Sequence, residues 1–290
     1  MVKLQTIYLQ YVPQYNVFAV SDELVKKLEA ENVVLQIKLS AADYVRLGEK
    51  MPADDAPTIG FLCCREKDMY SVDFNYAKSL AHTGVNLRFL VYKNVLKQMT
   101  DLDGLMLPGG RFPSPAEFYT DPDKIDDKRP LDRAEAYISC IKEAENKGMP
   151  ILGVCAGAQM LGAVHKMKLY RNAHEYTGTD IEHKTPILEA HTVKIKPNCM
   201  LHKLVGKTEI IVNSRHIEAM VNNDKESDLT IFATAPDDIP EAWGNDEKNI
   251  LCIQWHPEDF AAEGNQTMQN LYDWLAQKAW QYKNEVRKSK

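Results

Sequence analysis

The sequence predicts an α/β protein: a mainly parallel central sheet flanked by helices, antiparallel hairpins at one edge, and a small N-terminal α/β extension. Three observations predict it. From Thr58 onward, short apolar runs alternate with amphipathic stretches: TIGFLC, VDFNYAKSLAHT, NLRFLV, DGLMLPG, RPLDRAEAYISCIKEAENKG and MPILGV. Buried strands separated by helical segments are the sequence form of βαβ units, whose crossovers make neighbouring strands parallel. Beyond about residue 190 the runs HTVKIK, TEIIVN, HIEAMV, LTIFATA, PEAWGN and ILCIQW follow one another across short polar turns, which suits hairpins. Ahead of Thr58, TIYLQYV and VVLQIKL alternate apolar with polar residues on either side of a helix that Ser21 caps before Asp22, Glu23 and LVKKLEAE.

The closing helix is expected from about Gln266 to Tyr282, with Leu271, Trp274 and Leu275 as its core-facing stripe. The charged, proline-bearing stretch GEKMPADDAP reads as a linker. It divides the chain into a strand-helix-strand accessory segment with its linker (1–55) and a main domain (56–290) that carries the chemistry. The accessory segment is read as a structural addition.

Composition removes several function classes. With 44% hydrophobic and 26% charged residues in a 290-residue chain, a sizeable core is within reach. A net charge of -6 gives no footprint for nucleic acid or an anionic membrane, and the basic tail from Arg287 to Lys290 reads as a solvated helix end. No apolar run has the length of a membrane span and the N-terminus lacks signal-peptide layout, so a cytoplasmic location is expected. The six cysteines show no framework spacing and read as reduced thiols. None of the eight histidines falls in an HExxH or zinc-type pattern. A metal site would have to be assembled from scattered positions, and neither metal nor cofactor is expected.

The strongest chemical signal is PILGVCAGAQMLG. A short β-rich run ends at Val154, small residues Gly153, Ala156 and Gly157 surround Cys155, and a helix-compatible stretch follows. That is how a nucleophile elbow is written: only tiny neighbours permit the sharp strand-to-helix turn that lifts the sulfur above the sheet. There the helix N-terminus supplies positive potential and backbone donors to an oxyanion. Cys63, Cys64, Cys140, Cys199 and Cys252 lack such surroundings and read as structural.

About a hundred residues later, ILCIQWHPEDF places His256 at the carboxyl edge of an apolar strand, where open α/β sheets gather their active sites. Pro257 stops the ladder, and Glu258 stands two positions beyond the imidazole that it would orient. In DGLMLPGGRFPSP, Gly109 and Gly110 follow a buried strand, and a backbone N–H from this turn together with that of Ala156 could form an oxyanion hole.

Taken in order over roughly residues 58 to 282, LPGGR, GVCAGAQ, VNSRH and IQWHPE resemble the class I glutamine amidotransferase superfamily. The nearer resemblance is to its γ-glutamyl-γ-aminobutyrate hydrolase branch, of peptidase C26 type. It implies a flavodoxin-like fold, Cys155 as nucleophile with His256 and Glu258 as partners, and Gly110 and Ala156 as oxyanion donors. It also implies that Gln159, Asn213, Ser214 and His216 shape the pocket for the glutamyl α-amino and α-carboxylate groups. The chain departs from the branch pattern at Ala156, Lys166-Met167, Arg171-Asn172 and Glu218, positions around the pocket. Glu218, in place of the branch's glutamine, suggests a cationic leaving group, although Lys166 and Arg171 push the other way.

The expected activity is hydrolysis of a small γ-glutamyl amide through a glutamyl thioester, releasing glutamate. Two other readings stand beside it. One is a glutaminase subunit passing ammonia to a separate synthase; the other is a catalytically silent binding protein on the same fold. A small-molecule substrate is the expected partner, with a homodimer left open.

Overall fold

The computed structural model describes residues 3–31, 33–221 and 226–286, so the basic tail from Arg287 lies outside the described residues. The chain opens with β1 (Lys3–Tyr8), β2 (Gln10–Val12), β3 (Val17–Ser21), helix α1 (Asp22–Ala30), β4 (Val33–Lys38) and α2 (Ala41–Leu47). Both helices begin as their sequences require. Ser21 Oγ accepts from the N–H of Leu24, and Ser40 with Asp43 forms a reciprocal capping box that satisfies two N-terminal donors.

Then follow β5 (Thr58–Leu62), the hairpin β6 (Cys64–Glu66) and β7 (Met69–Asp73), α3 (Phe74–His82), β8 (Asn86–Leu90), α4 (Val95–Gln98), β9 (Gly104–Leu107), α5 (Asp132–Lys147), β10 (Ile151–Val154) and α6 (Ala156–Val164). The second half holds β11 (Lys168–Tyr170), α7 (Ala173–Thr177), β12 (His191–Ile195), α8 (Met200–Val205), β13 (Glu209–Val212), β14 (Ala219–Val221), β15 (Thr230–Thr234), β16 (Pro240–Asn245), β17 (Ile250–Ile253), α9 (Pro257–Ala262) and α10 (Gln266–Gln281).

Eleven strands form one sheet in the order β1-β4-β8-β5-β9-β10-β17-β16-β15-β12-β13. From β8 to β17 the five central strands run parallel, and the four beyond them, β16, β15, β12 and β13, pair antiparallel. The parallel strands read ILGV, GLML and ILCI because both of their faces are covered, and every residue in these three is buried.

The first strands do not stand apart from this architecture. β1 pairs parallel with β4, and β4 joins β8 through the Ile37–Phe89 bridge, so they lengthen the sheet at its far edge. β2 and β3 pair instead with the hairpin β6–β7 to make a second, four-stranded sheet. Two details differ from the sequence reading. The run HIEAMV gives only β14, which pairs with β11 outside the main sheet, because its first residues form the turn that walls the site described below. The stretch VDFNYAKSLAHT is helical only from Phe74; its first two residues finish β7. No helix among the described residues is long and apolar enough to cross a membrane.

Candidate active site

Parallel strands β9, β10 and β17 end side by side, and the loops leaving their carboxyl ends converge. From β10 the chain turns at once into α6 through Cys155, whose φ of 50° and ψ of -114° lie in a region that a non-glycine residue enters only at a cost of about 1–3 kcal/mol. Register holds the turn: the N–H of Cys155 donates to Ile253 O at 2.8 Å, and Cys155 O accepts from Gln159 N at 2.9 Å. Gly157 is obligatory here, since a Cβ on it would lie 2.1 Å from the carbonyl oxygen of Leu107 on β9. That contact seats the start of α6 against the neighbouring strand.

His256 follows β17 and immediately precedes α9, with Pro257 at the first helical position, where a missing N–H costs nothing. Its Nδ1 lies 2.6 Å from Glu258 Oε1, and the other carboxylate oxygen of Glu258 accepts from Tyr272 Oη at 3.4 Å. Because Nδ1–H donates to the carboxylate, Nε2 is the nitrogen left to hydrogen-bond Cys155. Burial opposes a charge on this imidazole, but the Glu258 carboxylate and the Cys155 sulfur outweigh it and hold the pKa of His256 well above its ordinary value. A buried base paired to a carboxylate on one side and a thiol on the other is equipped to take the thiol's proton and to keep it.

The loop after β9 closes the third side. A Cβ on Gly109 would stand 2.9 Å from His256 Cε1 and 3.0 Å from Cys155 Cβ, so this glycine is what lets the loop pass between them. Its N–H donates to the Tyr76 hydroxyl at 3.1 Å, and Gly110 follows at φ 140°. Beneath it the buried guanidinium of Arg133 donates from Nη2 to Gly109 O at 2.8 Å, and Tyr137 Oη donates to Pro108 O at 2.7 Å. Arg133 was missed in the sequence. Its signal was a cation on the buried face of α5, in line with Ala136, Tyr137, Cys140 and Ile141.

Cys155, Ala156 and Gly110 open onto a cavity of about 290 Å³, walled by Phe112, Ser114, Gln159 and the turn from Arg215 to Glu218. A larger cleft of about 600 Å³ lies elsewhere, between α1 and α5, and its lining contains neither cysteine nor histidine.

The expected substrate-binding residues fall into two groups, those that line the cavity and those buried behind it. Gln159 faces the cavity, but its amide nitrogen is committed to Glu218 O at 3.1 Å and Gln254 Oε1 at 3.2 Å. Asn213 and Ser214 are fully buried and do not line the cavity, which corrects the pocket role expected for them. Asn213 instead grips the backbone of His256 from both sides: Oδ1 accepts from His256 N at 2.8 Å and Nδ2 donates to His256 O at 2.9 Å. It also donates to Asp259 Oδ2 at 3.0 Å. Ser214 Oγ donates to His183 O at 2.8 Å. His216 touches the cavity only with an edge, because its Nδ1 donates to Glu218 O at 2.8 Å and its Nε2 points away into the protein.

Glu218 does line the cavity, yet the cationic leaving group read from it does not fit what surrounds it. Burial raises its pKa, Tyr119 Oη donates to its Oε1 at 2.6 Å, and five basic residues, Arg111, Arg129, Arg171, Lys184 and Arg215, share the lining. Three of those cations are paired: Arg129 with Asp127, Arg171 with Glu175, and Arg215 with Asp259. Among the described residues Arg111 and Lys184 have no ion-pair partner and neither has Glu218, so two unpaired cations stand against one carboxylate and the balance is positive. No single position in the sequence announces this field; it is a sum over five segments.

The family profile of peptidase C26 matches residues 66–258, two thirds of the chain, a range that includes Gly109, Gly110, Cys155, Asn213, His256 and Glu258. A glutamine amidotransferase-like protein of Lactococcus lactis is 32% identical over 187 residues, covering 62% of this chain and 76% of the relative. At 24% identity over 193 residues, the imidazole glycerol phosphate synthase subunit of Halobacterium salinarum covers 61% of this chain and 78% of its own. Among solved structures, a candidate GMP synthase component from Thermoplasma acidophilum superposes with a TM-score of 0.59 over 81% of this chain and 100% of its own, at 19% identity. A glutamine amidotransferase from Thermotoga maritima gives 0.54 over 77% and 97%, at 14%. These two likenesses establish the fold.

Proposed function

The chain belongs to the peptidase C26 family, within the class I glutamine amidotransferase superfamily, and from that premise we propose that it hydrolyses a small γ-glutamyl amide whose leaving amine carries an anionic group. The observation that carries the reading is a strained cysteine, backed by a histidine of raised pKa and a carboxylate, that opens onto a cavity lined by five basic residues and one carboxylate.

In the proposed cycle Cys155 Sγ attacks the γ-carbonyl carbon while its proton passes to His256 Nε2. The N–H groups of Gly110 and Ala156 stabilise the tetrahedral oxyanion. Collapse breaks the C–N bond, the imidazolium protonates the departing amine, and a glutamyl thioester remains. Water then gives a proton to His256, attacks the thioester carbonyl, and releases glutamate as the sulfur recovers its proton. Arg111 and Lys184 would meet the substrate's carboxylates, and Arg133 would keep the loop carrying Gly110 from yielding as charge develops.

A second reading is favoured by the synthase subunits among the relatives: glutamine as substrate, with ammonia handed to a partner. Steady turnover of γ-glutamyl amides by the isolated chain separates the two. The decisive experiment treats wild type and Cys155→Ala with a glutamine-mimicking chloroketone and with a panel of neutral, cationic and anionic γ-glutamyl amides. Expected are one adduct on Cys155, none on the variant, and preference for anionic conjugates. Equal inertness of both proteins would end the hydrolase reading.

A further inference from the structure

Behind the wall of that cavity, four residues with no motif spacing meet in the interior: His183 from the loop before β12, His191 from β12, His216 from the turn after β13, and Glu241 from β16. His183 Nδ1 lies 3.2 Å from His216 Nε2 and 3.4 Å from Glu241 Oε1, and His216 Nε2 lies 3.3 Å from the same oxygen. His191 Nε2 stands 3.7 Å from it. His183 and His216 are each only 4% exposed, and Glu241 is fully buried.

The second nitrogen of each ring fixes what the first can do. His216 Nδ1 faces the carbonyl of Glu218 at 2.8 Å and His191 Nδ1 that of Thr192 at 3.1 Å; carbonyls only accept, so both nitrogens carry protons. His183 Nε2 lies 3.1 Å from the Asp237 carboxylate and donates to it in the same way. In the neutral rings, therefore, the nitrogens turned toward Glu241 are lone pairs. Three acceptors and a carboxylate oxygen facing one another at buried positions repel unless a positive charge sits among them. Two buried atoms of the group, His191 Nε2 and Glu241 Oε2, have no hydrogen-bond partner.

Ligand atoms about 2.0–2.1 Å from a tetrahedral zinc ion stand roughly 3.3–3.4 Å from each other. The His183–His216–Glu241 triangle, with edges of 3.2, 3.3 and 3.4 Å, has that size. Histidine ligands bound through one nitrogen with the other held by a carboxylate or a carbonyl are the usual outer shell of such sites.

We propose that His183 Nδ1, His216 Nε2 and the Glu241 carboxylate bind a zinc-class divalent cation, with His191 completing the set after a small shift of its ring. The ion ties four separate segments together behind the turn that walls the cavity. Through His216 Nδ1 and the carbonyl of Glu218 it sets the position of that wall, and through His183 O it holds Ser214 Oγ and the N–H of His216. Its role is structural and separate from the chemistry of Cys155.

The test measures metal directly in the full-length chain, purified with and without zinc supplementation and passed over a desalting column. Wild type and Cys155→Ser are both expected to retain about one zinc per chain. Glu241→Gln and His183→Ala should lose it, and Asp237→Asn, which disturbs only the outer shell, should weaken it by roughly 10–100-fold. Wild type loaded with cobalt(II) should show the visible bands of a four-coordinate nitrogen and oxygen field without thiolate charge transfer, a reading that stands even if a variant fails to fold. Three results would each overturn the proposal: wild type that takes up neither zinc nor cobalt, full metal content in Glu241→Gln, or loss of metal in Cys155→Ser.

Discussion

Replacing Asn213 by alanine distinguishes a residue that binds substrate from one that holds the base. Two buried backbone groups of His256, its N–H and its carbonyl, have the Asn213 side chain as partner, and Asp259 loses a third hydrogen bond. A buried polar group left without a partner costs about 1–3 kcal/mol, so Asn213→Ala should lose roughly 2–6 kcal/mol of unfolding free energy. Freed at both ends, the peptide of His256 shifts, and a displacement near 1 Å at a catalytic group costs about 100-fold in rate. The assays are a denaturant midpoint with its slope, and kcat and KM on a chromogenic γ-glutamyl anilide. The expected result is a lower midpoint and a lower kcat with KM little changed. Stability held within about 0.5 kcal/mol together with a raised KM alone would refute the reasoning and return Asn213 to the substrate pocket.

Three more perturbations test neighbouring parts of the site. Because the negative charge of Glu258 favours the protonated imidazole, Glu258→Gln should lower the pKa of His256 and move the alkaline limb of kcat/KM to lower pH; an unmoved limb would contradict the proton-donor role. Arg133→Met removes a charged donor from Gly109 O and should reduce kcat about 10-fold or more at constant KM, with partial recovery in Arg133→Lys; an unchanged kcat would show that the loop needs no such support. Gly157→Ala drives a Cβ into Leu107 O and should cost about 1–3 kcal/mol in thermal or denaturant unfolding; a wild-type midpoint would mean that α6 can slide off β9.

Which parts of this molecule could be read from the chain follows from the range of the forces involved. Alternation of apolar runs with amphipathic stretches is a local property, and it was enough for the parallel core and for the later antiparallel strands. The elbow at Cys155 and the strand end at His256 were legible for the same reason: small residues around a cysteine, and a proline after a histidine, limit the backbone within a few positions. The glutamate two residues after His256 needed no long-range contact to be placed near it.

Asn213, read as a pocket residue, faces the other way because its partners, the peptide of His256 and the carboxylate of Asp259, lie more than forty positions along the chain. The same distance hides the rest. Arg133 reaches Gly109 across 24 positions, β1 and β4 find their edge beside β8 only once the sheet exists, and the cavity's positive field is summed from five segments. Most of all, residues 183, 191, 216 and 241 have no pattern in one dimension. By itself the sequence determined the strand and helix alternation and the turn chemistry of Cys155 and His256, since those depend on backbone sterics and on side-chain period. The tertiary structure alone decided the hydrogen-bond partners, the sign of the cavity and the meeting of three imidazoles with a carboxylate, since burial and electrostatic fields depend on which distant segments share a volume.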